Sequence, residues 1–210
     1  DGAMSEARVF VNGKEACFWP CGYNSFYCDV TSLVNEDGKN NTLAVRLENR
    51  PQSSRWYPGA GLYRNVHVVT TEKIHVPVWG TQITTPYVKD EYASVCLRTT
   101  ILNAGKTELT VVTDIMDADG QVVSTKTNKG VINHGQPFTQ NFIVERPKLW
   151  SPETPVLYKA VSKIYSGDTL LDTYSTRFGI RTIEYIADKG FYLNGERRKF
   201  QGVCNYHDLG

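Results

Sequence analysis

The sequence lacks the features that mark several large classes of protein. Its 210 residues contain no apolar run that approaches the ~20 residues of a membrane-spanning helix. Lys and Arg total 23 against 22 Asp and Glu, and they form no basic cluster, so we expect neither a nucleic-acid partner nor a membrane surface. The short Gly59-Ala60-Gly61 segment is not followed by Lys-Ser or Lys-Thr, which argues against a phosphate-binding loop. No stretch of ten residues shows the apolar period of a helix.

Cysteine is also scarce, and its spacing is irregular. The five cysteines are Cys17, Cys21, Cys28, Cys96 and Cys204. Cys17 and Cys21 could form half of a metal site, but no second pair and no nearby histidine completes it. We therefore expect ordinary small buried thiols, with no metal and no cofactor, and the redox compartment remains open.

The residues that are abundant favour β-structure. Twelve Tyr, eight Phe and four Trp accompany many Val and Thr, which suit pleated and half-buried surfaces. In residues 1–72 the pattern predicts short strands, beginning with a hairpin whose turn is Asn12-Gly13. A later strand, 42–48, is predicted to turn Leu43, Val45 and Leu47 to one face, and a last strand, 66–70, to turn Val66 and Val68 inward. Asp29 or Thr31 is expected to cap a single helical turn.

A second unit is predicted to follow a boundary near residues 71–77. Turn signals such as Asp119-Gly120 separate seven short alternating segments over about 100 residues, a pattern typical of an immunoglobulin-like sandwich. The predicted strands are 78–85, 92–102, 107–117, 121–129, 136–144, 157–165 and 170–178. The fold class is therefore all-β.

The last twenty residues differ from the rest. Phe191-Tyr192-Leu193 and Arg198-Lys199-Phe200 flank Asn194-Gly195, which predicts a hairpin. Residues 201–205 resemble a buried strand, and His207 and Asp208 follow it. Because α/β barrels carry their active-site groups at the carboxyl ends of strands, we interpret the chain as part of a longer protein with an active site near this point.

Four separated motifs resemble one family of enzymes. Residues 56–66, WYPGAGLYRNV, are similar to the closing segment of the sugar-binding jelly roll of glycoside hydrolase family 2. Residues 149–158 resemble the LWSP corner of its immunoglobulin-like domain, and residues 178–184 its GFR-x-I-E exit strand. Residues 191–195 with Gly202-Val203 look like the F-x-LNG…GV opening of its catalytic barrel. The four occur in the family's order, and the resemblance covers essentially the whole chain.

The resemblance implies a layout and a chemistry. Residues 1–72 would be the later part of a jelly roll, 73–181 an immunoglobulin-like sandwich, and 182–210 the hairpin and first strand of a (β/α)8 barrel. The family hydrolyses terminal β-glycosides with retention, using two glutamates on later barrel strands. Those lie beyond this chain, so neither Glu184 nor Glu196 is assigned a catalytic role. A β-galactosidase is the favoured member.

The same resemblance points to substrate contacts at Asp208, His207 and Arg55. A carboxylate accepts hydrogen bonds from sugar hydroxyls, and an imidazole or guanidinium donates them. For His207 the alternative is a satisfied strand end, and for Arg55 a surface arginine packed over Trp56. Trp150, between leucine and serine-proline at a corner, is expected in the core.

Two broader questions stay open at this point. The partner is expected to be a carbohydrate, a β-galactoside or a related sugar, and a homo-oligomer is one assembly that the sequence allows. Export to the periplasm or the medium is the expectation, because enzymes that degrade sugar polymers are often exported. The alternative function is a non-catalytic carbohydrate-binding or adhesion module made of two β-sandwiches.

Overall fold

The computed structural model describes residues 1–35, 38–52, 58–102, 105–132, 135 and 137–203. It divides into two compact units, Asp1–Val69 and Thr70–Val203. Strands dominate both, and the only helical element in the described ranges is one 3-10 turn at Thr31–Leu33. The all-β prediction is confirmed. No helix within the described ranges has the length and apolar character needed to cross a membrane.

The first unit contains five short strands. They are β1 Ala3–Met4, β2 Ala7–Val11, β3 Lys14–Trp19, β4 Leu43–Arg46 and β5 Gly61–Leu62. Antiparallel pairing gives one sheet in the order β3-β2-β4 and a small pair, β1-β5. Asn12 and Gly13 have φ of 51° and 80°, so the predicted hairpin turn is formed by two residues in the left-handed region.

The core of the first unit is small, and the prediction of a last strand with Val66 and Val68 turned inward is wrong. Residues 66–70 form no strand, and Val68 is 79% exposed. Leu43 is also exposed, while Val45 and Leu47 are only half-buried. Alternating β-branched residues favour a pleated strand, but a strand forms only where another strand pairs with it. No described strand pairs with residues 66–70.

The loop after β3 is tied back to that strand by a disulfide. Cys17 and Cys28 are bonded, with Cα atoms 6.1 Å apart, within the usual range of about 4.4–6.8 Å. The prediction of ordinary thiols is therefore wrong for this pair, because the chain doubles back within 11 residues. Asp29 Oδ1 accepts a hydrogen bond from the Thr31 amide at 2.9 Å, but the N-cap residue of the 3-10 turn is Val30 and the turn has no side-chain cap, so the predicted cap by Asp29 or Thr31 is wrong.

The second unit contains the predicted seven-strand sandwich. Its strands are β6 Thr81–Val88, β7 Tyr92–Thr100, β8 Glu108–Met116, β9 Val122–Val131, β10 Pro137–Glu145, β11 Tyr158–Ser166 and β12 Thr169–Phe178. They form a three-stranded sheet, β10-β7-β6, and a four-stranded sheet, β12-β11-β8-β9. Only β6 departs clearly from its predicted bounds, because Val78 and Trp79 form a turn ahead of it.

The core of the sandwich lies between the two sheets. Alternate residues of β7, including Val95 and Leu97, are fully buried against residues of β8 and β11 such as Ile115. One interior patch is polar: the Thr113 hydroxyl donates to Gln140 Oε1 at 2.7 Å and lies 2.8 Å from the Ser162 hydroxyl. Because these buried groups satisfy one another, the patch adds specificity without leaving orphaned polar atoms among them.

A terminal hairpin follows the sandwich within the same unit. β13 Ile183–Ile186, β14 Gly190–Leu193 and β15 Glu196–Arg198 form a three-stranded antiparallel sheet. Its turn at Asn194-Gly195 has φ of 50° and 78°, as predicted. The predicted buried strand at 201–205 is not formed in its described part, since residues 201–203 are exposed and Val203 is 85% exposed. A barrel strand is buried only when flanking strands cover it, and no described strand lies beside these residues.

Candidate functional site

The three residues predicted to contact substrate, Arg55, His207 and Asp208, lie outside the described residues. The structure does describe the segments that precede or follow them. These are the base of the 50–58 loop in the first unit and the hairpin that leads to residue 203 in the second. The geometry of each of these two segments can therefore be described from its own residues, within its own unit.

The loop that contains Arg55 is closed at its base by a side-chain hydrogen bond. Asn49 Nδ2 donates to the Gly59 carbonyl at 2.8 Å, which joins the two ends of the loop. Gly59 and Gly61 have φ of 67° and 113°, in a region that glycine adopts readily. Tyr63 then anchors the outgoing chain, because its hydroxyl donates to the Gly22 carbonyl at 2.7 Å.

Three of the sequence motifs meet at one point in the second unit, which we call the Trp150 junction: Trp150, Gly179, Arg181 and Asn194. The Trp150 amide donates to the Ile180 carbonyl at 2.8 Å. A Cβ on Gly179 would lie 2.8 Å from Trp150 Cβ, so only glycine fits there. The Arg181 guanidinium lies 5.2 Å from the indole centroid, a cation–π distance.

Asn194 completes the junction from the terminal hairpin. Its Nδ2 donates to the Trp150 carbonyl at 3.0 Å, and its Oδ1 accepts from the Thr182 amide at 3.0 Å. The Asn194 amide donates in turn to the Thr182 carbonyl at 3.1 Å. Asparagine tolerates the left-handed φ of the turn and still carries an amide, so one residue both turns the hairpin and attaches it to the sandwich corner.

An ion pair links the hairpin to the same corner. Arg198 Nη1 lies 2.7 Å from Glu153 Oε1, and its Nη2 lies 3.0 Å from Glu196 Oε2. The pKa of Glu153 lies below its ordinary value, mainly because its own backbone N–H donates to the carboxylate, with a smaller contribution from Ser151 and then Arg198. Glu153 therefore remains ionised where the ion pair needs it.

An open cleft of about 620 Å³ lies beside the Trp150 junction. Ile83, Thr85, Leu157 and Ile183 contribute to its lining, together with the guanidinium-bearing Arg177 and Arg181. Among the described residues that line it, the charged side chains are these two arginines, so the cleft offers positive charge beside an apolar surface.

The prediction that Trp150 lies in the core is wrong. It is half-buried and lines the cleft, whereas Leu149 beside it packs against the core. Sequence reasoning also missed Asn194 as a linking residue and treated it only as a turn former. The asparagine of the LNG motif was the clue to this linking role. A turn that needs only positive φ would accept glycine at position 194 as well.

The two glutamates of the terminal hairpin are not placed as a catalytic pair. Glu184 on β13 and Glu196 on β15 are both exposed, and Glu196 is paired with Arg198. A glycosidase acid needs a desolvated environment that keeps it protonated, which neither position provides. Within the same ranges no three His, Cys, Asp or Glu side chains are grouped as metal ligands.

The family model for glycosyl hydrolases family 2 matches residues 74–181, which is about half of the chain. The chain belongs to glycoside hydrolase family 2. This family 2 chain is 42% identical over its full length to a β-galactosidase of Bacteroides ovatus, of which it covers 25%. It is 36% identical over its full length to a putative β-glucuronidase of Formosa agariphila, of which it covers 20%.

A solved structure gives the same assignment. A family 2 member from Bacteroides cellulosilyticus superimposes with a TM-score of 0.88 at 31% identity, covering all of this chain and 28% of that one. The family 2 chain described here thus spans about a quarter of the length of the relatives it matches. Its Trp150 junction joins the family's corner, exit-strand and hairpin motifs in one set of contacts.

Proposed function

We propose that this chain is part of a retaining β-glycosidase that hydrolyses terminal β-galactosides. The observation that carries the proposal is the 42% identity, over the whole chain, to a protein named as a β-galactosidase. The identity to the putative β-glucuronidase is lower, at 36% over the same span. This difference favours a galactoside over a glucuronide as the substrate.

In this proposal the reaction uses two glutamates outside the 210 residues. Retention requires two carboxyl groups about 5–5.5 Å apart, one acting as nucleophile and the other as acid and then base. The described residues supply a support instead: the Trp150 junction fixes the hairpin after which residues 204–210 follow. Residues 1–72, 73–181 and 182–210 are assigned to the later jelly roll, the immunoglobulin-like sandwich and the start of the barrel.

Arg55, His207 and Asp208 are proposed to contact the sugar. Each offers a charged or polarised hydrogen bond to a hydroxyl group, and such bonds are worth ~1.5–3 kcal/mol. The disulfide between Cys17 and Cys28 supports an exported protein, because disulfides persist in oxidising compartments.

The test is to express the chain together with the sequence that follows it and to assay matched nitrophenyl β-galactoside and β-glucuronide. We expect the galactoside to react faster and the first product to keep the β configuration. Asp208→Ala should lower kcat/KM by about 10- to 150-fold, the equivalent of one lost charged hydrogen bond. Faster turnover of the glucuronide would overturn the substrate assignment.

The alternative is a non-catalytic carbohydrate-binding or adhesion module made of two β-sandwiches. The two functions differ in what the longer polypeptide does. An absence of turnover of any β-glycoside by the folded, extended protein would favour the binding module and contradict the hydrolase.

A further inference from the structure

The outward face of the β10-β7-β6 sheet carries a shallow recess that is separate from the Trp150 junction and its cleft. Its volume is about 240 Å³, and its lining includes Trp79, Thr81, Gln82, Arg98, Thr100 and Pro137. Sites that enclose whole drug-sized ligands measure ~300–1,000 Å³. A recess of this size, open to solvent, suits a single ring with its substituents.

Trp79 has a backbone conformation that is unfavourable for tryptophan. The Gly80 amide donates to the Pro77 carbonyl at 2.8 Å and closes a β-turn in which Trp79 is the third residue. Trp79 has a φ of 58°, where glycine or asparagine is usual. Its side chain is 60% exposed, so it gains little from burial. A large aromatic ring that is mostly exposed, on a backbone in the left-handed region, offers its surface to a ligand.

The turn that carries Trp79 is nevertheless held firmly. A Cβ on Gly80 would lie 2.7 Å from the Pro77 ring, so this position requires glycine. The Gly80 carbonyl accepts from the Thr100 amide at 2.8 Å, and the Trp79 amide donates to the Tyr174 hydroxyl at 3.1 Å. The indole is therefore presented from a fixed backbone, which lowers the entropic cost of binding.

Polar side chains lie next to this aromatic ring. Arg98 is exposed on β7 and stands in register with Gln82 on β6 and Thr139 on β10. Among the described residues no carboxylate is paired with Arg98, and the lining of the recess contains no acidic side chain. The recess therefore combines an aromatic surface, a guanidinium and hydrogen-bonding groups, with a positive local charge.

We propose that this recess binds a sugar ring that carries a carboxylate, such as a hexuronate unit of an acidic glycan. The apolar face of the pyranose would stack on Trp79, and Arg98 would pair with the carboxylate. Gln82 and Thr100 would bind ring hydroxyls. The site binds glycan and performs no chemistry, and it does not depend on the hydrolase assignment.

The test uses the 210-residue chain and two probes that differ only in the carboxylate, methyl β-glucuronide and methyl β-glucoside. Titration is followed by the NMR amide peaks of β6 and β7 and by tryptophan fluorescence. We expect saturable binding of the glucuronide with a Kd on the order of 1–10 mM, typical for a small ligand on an open surface, and at least ~10-fold weaker binding of the glucoside.

Variants make the test specific to the recess. Trp79→Gly removes the ring and relieves the backbone, so it should fold and lose binding. Arg98→Gln should lower the affinity for the glucuronide to the affinity for the glucoside. Tyr185→Ala, which removes another aromatic ring of the same unit that is 77% exposed, should bind as the unmodified chain does. Equal affinity for the two sugars, no saturation by either, or unchanged binding by Trp79→Gly would overturn the proposal.

Discussion

The two units differ in how much apolar surface they bury. Among the described residues the first unit fully buries five apolar side chains and the second fifteen. The second unit is only about twice as long, so its core is also denser per residue. The buried residues of the first unit come from only two strands, Ala3 and Met4 from β1 and Ala7, Val9 and Val11 from β2.

This difference indicates what stabilises each unit. The second has two facing sheets that share a core, the arrangement that makes an immunoglobulin-like domain self-sufficient. The first has a three-stranded sheet and a two-stranded pair, and it leaves apolar side chains such as Val66 and Val68 exposed. Cross-links, namely the disulfide and loop-base hydrogen bonds, matter more where the core is thin.

The largest expected effect comes from opening the core of the second unit. Leu97→Ala removes a fully buried side chain and should lower the free energy of unfolding of that unit by ~2–5 kcal/mol. Urea unfolding followed by the NMR peaks of β7 and β11 measures it. Leu170→Ala, at a side chain 50% exposed, is the matched control and should change stability by no more than ~0.5 kcal/mol. Similar losses from both variants would show that the core assignment is wrong.

The disulfide between Cys17 and Cys28 should stabilise only the first unit. Cys17→Ser frees a loop closed across 11 residues and should destabilise that unit by ~3 kcal/mol, on the chain-entropy estimate. Thermal unfolding monitored by the peaks of β2 and β3 tests this. Cys96→Ser, at a free thiol of the second unit, should leave those peaks unchanged. An equal effect of Cys17→Ser on β7 and β8 would contradict the separation of the two units.

The Trp150 junction should be sensitive at Asn194. Asn194→Ala removes two side-chain hydrogen bonds and places at positive φ a residue that tolerates this region less well than asparagine, so we expect a loss of ~1–3 kcal/mol in the hairpin. Amide exchange of β14 against that of β11 gives the measurement. Asn194→Gly keeps the turn and lacks only the side chain, so it should recover part of the loss. Full recovery would mean that the link to Trp150 contributes nothing.

The smallest expected effect is a pH dependence at Glu153. Because its folded pKa is depressed below the ordinary 4.5, mainly by its own backbone N–H and by Ser151, ionised Glu153 stabilises the folded corner at neutral pH, and its ion pair with Arg198 extends a smaller part of this effect to the hairpin. That contribution is complete above pH 4.5 and is lost as the pH falls through the lowered folded value. The protection factors of the β15 amides, with the intrinsic exchange rate at each pH divided out, should fall below pH 4.5, and Glu153→Gln should remove this step. A step of the same size in the variant would assign it to another group.

Much of the fold follows from local chemistry in the sequence. Asn-Gly pairs at 12–13 and 194–195 predicted both primed turns, and apolar alternation predicted the strands of the sandwich. Predictions failed where the outcome depended on a distant partner. Residues 66–70 have strand composition without a strand neighbour, and Cys17 pairs with Cys28 only because the intervening loop doubles back.

The candidate site was less predictable. The motifs containing Trp150, Gly179 and Asn194 could be identified one by one, but their meeting point could not. The hydrogen bond from Asn194 to Trp150 joins residues 44 apart in sequence, and no local periodicity encodes such a contact. Arg55, His207 and Asp208 stay predictions.

The central claim is that the second unit is the self-sufficient domain and that the first depends on cross-links. Native-state hydrogen exchange on the whole 210-residue chain, read strand by strand, tests this most directly. We predict that amides of β7, β8 and β11 exchange only through global unfolding of their unit and far more slowly than amides of β2, β3 and β4. Equal protection of the two sets, or slower exchange in the first unit, would contradict the claim.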